Sequence, residues 1–111
     1  MTLAPVAAAL GDAVAVVIAD AGRTTETVIA AVRARATDEH DSVVLLIPGD
    51  VPALDRTLLR AAIGPLAIEL APAQRLYAVD VAAGAVLDDV IATARFLAAA
   101  ESTTGQVIEV R

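Results

Sequence analysis

The chain has 111 residues, of which 58% are hydrophobic, and a formal net charge of −6. It contains no Cys, Lys or Asn, which excludes disulfides and any mechanism that needs a thiolate, a lysine ammonium or an asparagine amide from this chain. The acidic balance and the lack of a basic cluster argue against nucleic acid or an anionic membrane as a partner.

The apolar content is more than one small core can hide. Ordinary soluble domains are about 45–50% apolar, and a domain of this length leaves much of its surface in water. A partner subunit is the simplest cover, so we expect a homodimer or a higher homo-oligomer. No apolar run reaches the roughly 18 residues that span a bilayer, and no basic region precedes an apolar N-terminal stretch. We therefore expect a soluble, cytoplasmic protein.

The first half of the chain alternates helical and strand patterns. A helix over Leu3–Leu10 precedes the continuous apolar run Val14–Ile18, which is typical of a strand buried on both faces of a parallel sheet. Thr24 is a candidate N-cap for the next helix. A second apolar strand, Val43–Ile47, then stops at Pro48-Gly49.

The next helix begins near Asp50 and Pro52, which favour a cap and a first turn, and runs towards Pro72. It is apolar on more than one face, as expected of a helix that packs between the sheet and a partner. One face carries Leu59, Ala62, Ile63, Leu66 and Leu70, and the other carries Leu54, Leu58, Ala61 and Ile68. Gly64-Pro65 within it predicts a weakened or kinked helix.

The remaining pattern gives two more strands and a helix between them. Leu76–Val79 is the third strand, a helix with apolar positions from Leu87 to Ala98 follows, and Val107–Val110 closes the chain. Alternating strands and helices predict an α/β fold with about four parallel strands, in one domain over residues 1–111.

Several stretches resemble the later half of a short-chain dehydrogenase/reductase. Leu58–Pro72 and Arg75–Val79 are similar to the run that follows the family's catalytic helix, and Asp88–Ala98 with Thr104–Val110 is similar to its closing run. Val16–Gly22 resembles the family's fourth strand and turn. The resemblance implies a truncated, half-Rossmann domain of three layers.

The departures from the family pattern concern its chemistry. The Gly-rich cofactor loop and the first three strands have no counterpart. Pro52 falls at the family's Tyr position and Arg56 at its Lys position, while Tyr77 falls where the family has a strand Asn. The resemblance therefore implies no catalytic, cofactor-binding or metal-binding residues, no cofactor, and a protein that is not a hydride-transfer enzyme.

The resemblance also implies where the chain would associate. In the family, the two long helices after the fourth and fifth strands, and the last helix and strand, form subunit interfaces. With no earlier strands beside it, Val14–Ile18 is an apolar edge strand that must be paired or covered. We expect the contact surfaces to include Leu54, Leu58, Ala61, Ile68, Val28, Val107, Val14 and Val16.

Individual polar residues carry weaker signals. His40, in the acidic run Asp38–Asp41, is expected to be a solvated loop residue rather than a catalytic base or metal ligand. Arg56 is expected to pair with Asp55 or a neighbouring carboxylate, or else to hold an anion. Gly22, Gly49 and Gly84 follow strands at the carboxyl edge of the sheet, where α/β proteins bind ligands, but tight turns explain them equally.

Three functions stay open from the sequence. The first is a non-catalytic subunit that associates with itself or with a full-length reductase of the same family. The second is an accessory subunit of a composite NAD(P)-dependent oxidoreductase whose catalytic residues lie on a partner chain. The third is a small-molecule binding module that uses the carboxyl edge of the sheet.

Overall fold

A computed structural model describes all residues from Met1 to Arg111. Four strands alternate with four helices, as the sequence predicts. In chain order they are α1 (Ala4–Leu10), β1 (Val14–Ile18), α2 (Thr25–Arg35), β2 (Ser42–Ile47), α3 (Ala53–Leu70), β3 (Arg75–Val81), α4 (Leu87–Ala99) and β4 (Gln106–Val110).

The strands form one parallel sheet in the order β1-β2-β3-β4. Helices α2 and α3 pack on one face and α1 and α4 on the other. Every connection steps the same way along the sheet, so the crossover through α4, on the opposite face, has the opposite hand to those through α2 and α3. This gives the three layers of a half-Rossmann fold and confirms the predicted fold class.

Alternation along the strands divides the core between the two faces. In β2, Val43, Leu45 and Ile47 face α2 and α3, whereas Val44 and Leu46 face α1 and α4. Both sets are buried, which is why β2 reads as an unbroken apolar run.

The predicted boundaries agree closely for the strands and less well for the start of α3. Thr24 caps α2 by accepting a hydrogen bond from the Thr27 amide at 3.1 Å. The expectation that Asp50 caps α3 is wrong: Pro52 is the N-cap residue and makes no side-chain cap. Helix α3 is assigned without interruption through Pro65. The Ala71–Pro72 peptide bond is cis.

The amino-terminal end of β3 holds a polar arrangement on the face opposite α3. The Tyr77 hydroxyl lies 2.8 Å from Ser42 Oγ, with both residues fully buried. The guanidinium of Arg75 lies 5.9 Å from the Tyr77 ring centre and donates to carbonyls at the end of α4, among them Ala98 at 2.9 Å and Ala100 at 3.0 Å. Arg75 thus satisfies carbonyls that the helix terminus leaves unpaired.

None of the four helices is both long and apolar enough to traverse a lipid bilayer.

Candidate functional site

Two carboxylates lie side by side at the carboxyl end of the sheet. Asp80 of β3 is in register with Ile47 of β2 and with Glu109 of β4. Asp80 comes two residues after Ala78, whose side chain packs on the α3 side, so by alternation Asp80 and Glu109 also face α3. Neighbouring strands are about 4.8 Å apart, so these two acids would repel each other without a cation nearby.

Helix α3 supplies that cation from residues one turn apart. Arg60 Nη1 donates to Asp80 Oδ2 and, at 3.0 Å, to Glu109 Oε1. Arg56 donates from Nη1 to Asp80 Oδ1 and from Nη2 to the Pro48 carbonyl. Positions i and i+4 of a helix share a face, and this spacing places one guanidinium on each oxygen of the Asp80 carboxylate.

Solvent exposure of the side chains increases from the centre of the cluster to its periphery. The side chain of Asp80 is only 9% exposed and that of Arg56 21%, whereas Arg60 is 35% and Glu109 43% exposed. A buried carboxylate is costly unless it is paired and hydrogen-bonded, and Asp80 is both. The hydrogen bond that Arg60 donates to Asp80 raises the pKa of Arg60, and the hydrogen bond and charge of Arg111, with the charge of Arg60, lower the pKa of Glu109.

A cleft of about 540 Å³ opens beside this cluster. Two loops approach each other closely at Gly49, which lines the cleft, because a Cβ built there would lie 2.7 Å from the Ala83 backbone. Only glycine fits there. The lining residues are Gly49, Arg56, Asp80, Ala82, Gly84, Glu109, Val110 and Arg111.

The positions that resemble the family's catalytic pair hold no proton donor aimed into this cleft. Pro52 is exposed at the start of α3. The Arg56 guanidinium is engaged by Asp80 and Pro48. Tyr77 belongs to the core on the opposite face of the sheet, so its hydroxyl cannot take the place of the family's Tyr beside Arg56.

The other residues singled out from the sequence divide between the cleft and more distant parts of the molecule. His40 Nδ1 is 2.8 Å from the Asp12 carbonyl oxygen. No three or more His, Cys, Asp or Glu side chains are grouped so as to hold a metal ion. Gly22 has a φ of +104° in the turn before α2, whereas Gly49 and Gly84 line the cleft.

The residues expected at contact surfaces separate into two groups. On α3, Leu54 is 70%, Leu58 46% and Ile68 80% exposed, and Ala61 is exposed between them. Val107 is half-buried at the side of β4. Val28, Val14 and Val16 are instead core residues, at 1%, 9% and 9% exposure, so their side chains present little surface to a partner.

Sequence reasoning missed Asp80, Arg60 and Glu109. A signal was present: Asp80 is a charged residue inside the apolar run Leu76–Val81, and a buried acid of this kind needs a cation. The partner Arg60, 20 positions earlier in the chain, becomes evident only when α3 is placed across β3.

A parallel sheet with helices on both faces and a cleft at its carboxyl edge defines a protein of the Rossmann-like α/β class. The profile of one such family, short chain dehydrogenase-like protein, matches residues 8–110. The chain belongs to this family, which confirms the resemblance seen in the sequence. No curated protein and no solved structure gave a significant match.

Proposed function

We propose that this chain is a non-catalytic short-chain dehydrogenase-like protein that acts through association, and that two copies pair through the outer face of α3. The observation that carries the proposal is the spacing of the exposed apolar residues on that helix. They form the α3 stripe, which comprises Leu54, Leu58, Ala61, Pro65 and Ile68.

The α3 stripe follows the 4-3-4-3 spacing of a helix–helix seam. Successive members are separated by four, three, four and three residues, the repeat by which apolar side chains stay on a partner helix. From Leu54 to Ile68 the stripe is about 21 Å long at 1.5 Å per residue. All of its members face solvent within one chain, so only an outside partner can bury them.

The stripe suits a second copy of itself because it is symmetric about its middle. Leu54 and Ile68 lie at equal distances from Ala61 along the helix. In an antiparallel pair, Leu54 would meet Ile68 of the other copy and the two Ala61 side chains would meet at the twofold axis. Such a contact uses the same patch on both subunits, as most soluble homodimers do.

The middle of the stripe favours a close approach of two helices. Gly64 costs an exposed helix about 1 kcal/mol relative to Ala, and a Cβ built there would meet nothing within 4 Å. Packing inside the chain therefore gives no reason for this glycine. A neighbouring helix over Ala61 and Gly64 would supply one.

The scarcity of charged residues on this face also supports association. Glu69 is the one charged residue among the exposed positions of α3, and it is paired with Arg33 of α2 at 2.8 Å. Because interface centres are depleted in charged residues, this surface, whose one acid is already paired, resembles an interface centre.

The half-buried side of β4 around Val107 is a second candidate contact surface. It is secondary because it exposes less apolar surface than α3 does.

The non-catalytic part of the proposal rests on the residues at the cleft. Pro52 has no proton to transfer, so no general acid stands at the position of the family's Tyr, and the Arg56 guanidinium is engaged by Asp80 and by the Pro48 carbonyl.

The solution mass of the purified chain, measured by light scattering after size exclusion, tests this proposal. We expect a dimer whose mass does not change when a full-length reductase of the family is added. A stable monomer would contradict association. A monomer that binds the reductase, with cofactor binding or reductase activity only in the mixture, would favour the accessory-subunit alternative.

The cleft beside Asp80 supports a second candidate, a small-molecule binding module. It lies at the carboxyl edge of the sheet, where open α/β sheets bind ligands, and its volume is within the range of ligand pockets. A rise in melting temperature with small carboxylates or phosphates would favour it. No rise at millimolar concentrations would count against it.

A further inference from the structure

The edge of the sheet at β1 presents backbone hydrogen-bonding groups that no neighbouring strand pairs. Strand β1 forms one edge and β4 the other. An edge strand presents unpaired N–H and C=O groups that can pair with strands from other molecules. In β1 these groups belong to a strand whose side chains are almost all buried, so its backbone is the accessible part.

The backbone direction along β1 follows from its hydrogen bonds. The Ala13 carbonyl accepts from Asp41 and the Ala19 amide donates to Leu46, so residues 13 and 19 point towards β2. In a parallel strand, the N–H and C=O of one residue point to the same side and alternate from one residue to the next. The carbonyls of Val16 and Ile18 therefore point to the open edge.

Both of these outward carbonyls accept hydrogen bonds from arginines at the two ends of α2. Arg23, in the turn before the helix, donates from Nη1 to the Ile18 carbonyl at 3.0 Å. Arg35, the last residue of α2, donates from Nη1 to the Val16 carbonyl at 3.3 Å. Because α2 runs back along β1, its two ends bring one guanidinium to the middle of the exposed edge, at Val16, and one to its carboxyl end, at Ile18.

The rest of β1 is covered within the same chain. Ala15 and Val17 pack under α2, and Val14 and Val16 pack on the α1 side. The chain's own helices therefore bury both faces of Val14–Ile18, and its arginines engage two of the backbone carbonyls at the edge.

We propose that Arg23 and Arg35 form an edge cap that stops β1 from adding strands of other copies of this chain. The cap protects β1 at the edge where a complete Rossmann sheet would have further strands. A strand that approached β1 would have to displace two charged donors from their carbonyls, and it would meet two positive charges at the edge. Inward- or edge-placed charge is a known way to protect sheet edges.

The test is the double variant R23A/R35A, with R95A as the control because Arg95 is an exposed arginine on α4, away from both the β1 edge and the α3 stripe. Light scattering over a concentration series reports mass, and infrared spectroscopy reports intermolecular strands. We expect R23A/R35A to form species heavier than the wild type's, with an intermolecular strand band, at about tenfold lower concentration, the effect of some 1.4 kcal/mol. R95A should behave as wild type.

The variant V32A opens a cavity at a fully buried residue, so it serves as a control for association that is caused by general destabilisation alone. If R23A/R35A associates no more than V32A at an equal loss of melting temperature, or keeps the wild-type mass throughout, the edge cap is wrong. If the double variant does not fold, R23A and R35A are compared singly in the same way. The same comparison in an L58R background, which charges the α3 stripe, keeps this result independent of the proposed dimer.

Discussion

Asp80 and Glu109 are neighbours on parallel strands, and a single nitrogen, Nη1 of Arg60, lies within hydrogen-bonding distance of both carboxylates. The two acids come from strands that are far apart in the chain, and the arginine comes from a third element. This arrangement ties α3 to the two strands at the carboxyl end of the sheet. Arg56, which the resemblance places at the position of the family's Lys, donates to the same Asp80 carboxylate from one turn earlier on α3.

Removal of the shared cation should bring out the repulsion between the acids. Arg60→Met is expected to lower the free energy of unfolding by about 1–2 kcal/mol, because a largely buried carboxylate loses a charge-assisted hydrogen bond. The loss should be smaller in an E109Q background, where Asp80 has no acidic neighbour. Chemical denaturation of the four proteins of this double-mutant cycle measures the coupling, and strictly additive losses would show that Arg60 does not bridge the two acids.

Tyr77 should make the folded protein less stable at alkaline pH. Burial raises the pKa of Tyr77 above its ordinary 10.0, so at high pH the unfolded chain ionises this phenol before the folded chain does. Its contribution to stability is complete below a pH of about 10 and decreases as the pH rises through the folded-state pKa.

Tyr77→Phe should remove that alkaline decrease. At neutral pH it should cost about 1 kcal/mol, since the Ser42 hydroxyl loses its buried partner. Unfolding curves at pH 7 and above pH 10 check both effects. An equally steep alkaline decrease in Y77F would assign it to another group.

Arg75 should hold the end of α4. Arg75→Met removes the donor shared by the last carbonyls of the helix, and we expect a loss of about 1–3 kcal/mol. Hydrogen exchange should accelerate in the last turn of α4 and leave α2 unchanged. Uniform acceleration over both helices would indicate global destabilisation instead.

Two glycines should respond to the same substitution in opposite ways. Gly49→Ala places a Cβ 2.7 Å from the Ala83 backbone and should destabilise the fold by more than 1 kcal/mol, as other clashes with backbone do. Gly64→Ala meets open space and should stabilise the isolated chain by about 0.5–1 kcal/mol. If two copies pair over α3, G64A should also weaken the dimer, which sedimentation over a dilution series would detect.

The strands could be predicted from the sequence because their apolar runs are continuous and bounded by turn residues. The strand predicted over Val14–Ile18 has the same bounds as β1. Strand β3 was predicted to stop at Val79, yet it continues through Asp80 and Val81. The charge at position 80 ends an apolar pattern in sequence, but two arginines from α3 neutralise it in space.

The site could be predicted only where its signal is local. The exposed face of α3 is visible as helical periodicity, and the departures at Pro52 and Arg56 are visible by comparison with the family pattern. The Arg60–Glu109 and Arg35–Val16 contacts join positions 49 and 19 residues apart. Such contacts depend on how helices cross strands, which periodicity does not report.

The most direct test of the central claim is the solution mass of Leu58→Arg, compared with wild type and with Phe96→Arg. Phe96 is an equally suitable control because it is also a large, exposed apolar residue, at 69% exposure, but lies on α4. We predict that wild type and F96R are dimers and that L58R is a folded monomer with an unchanged circular dichroism spectrum. A dimer that persists in L58R, or one lost in F96R instead, would contradict association through α3.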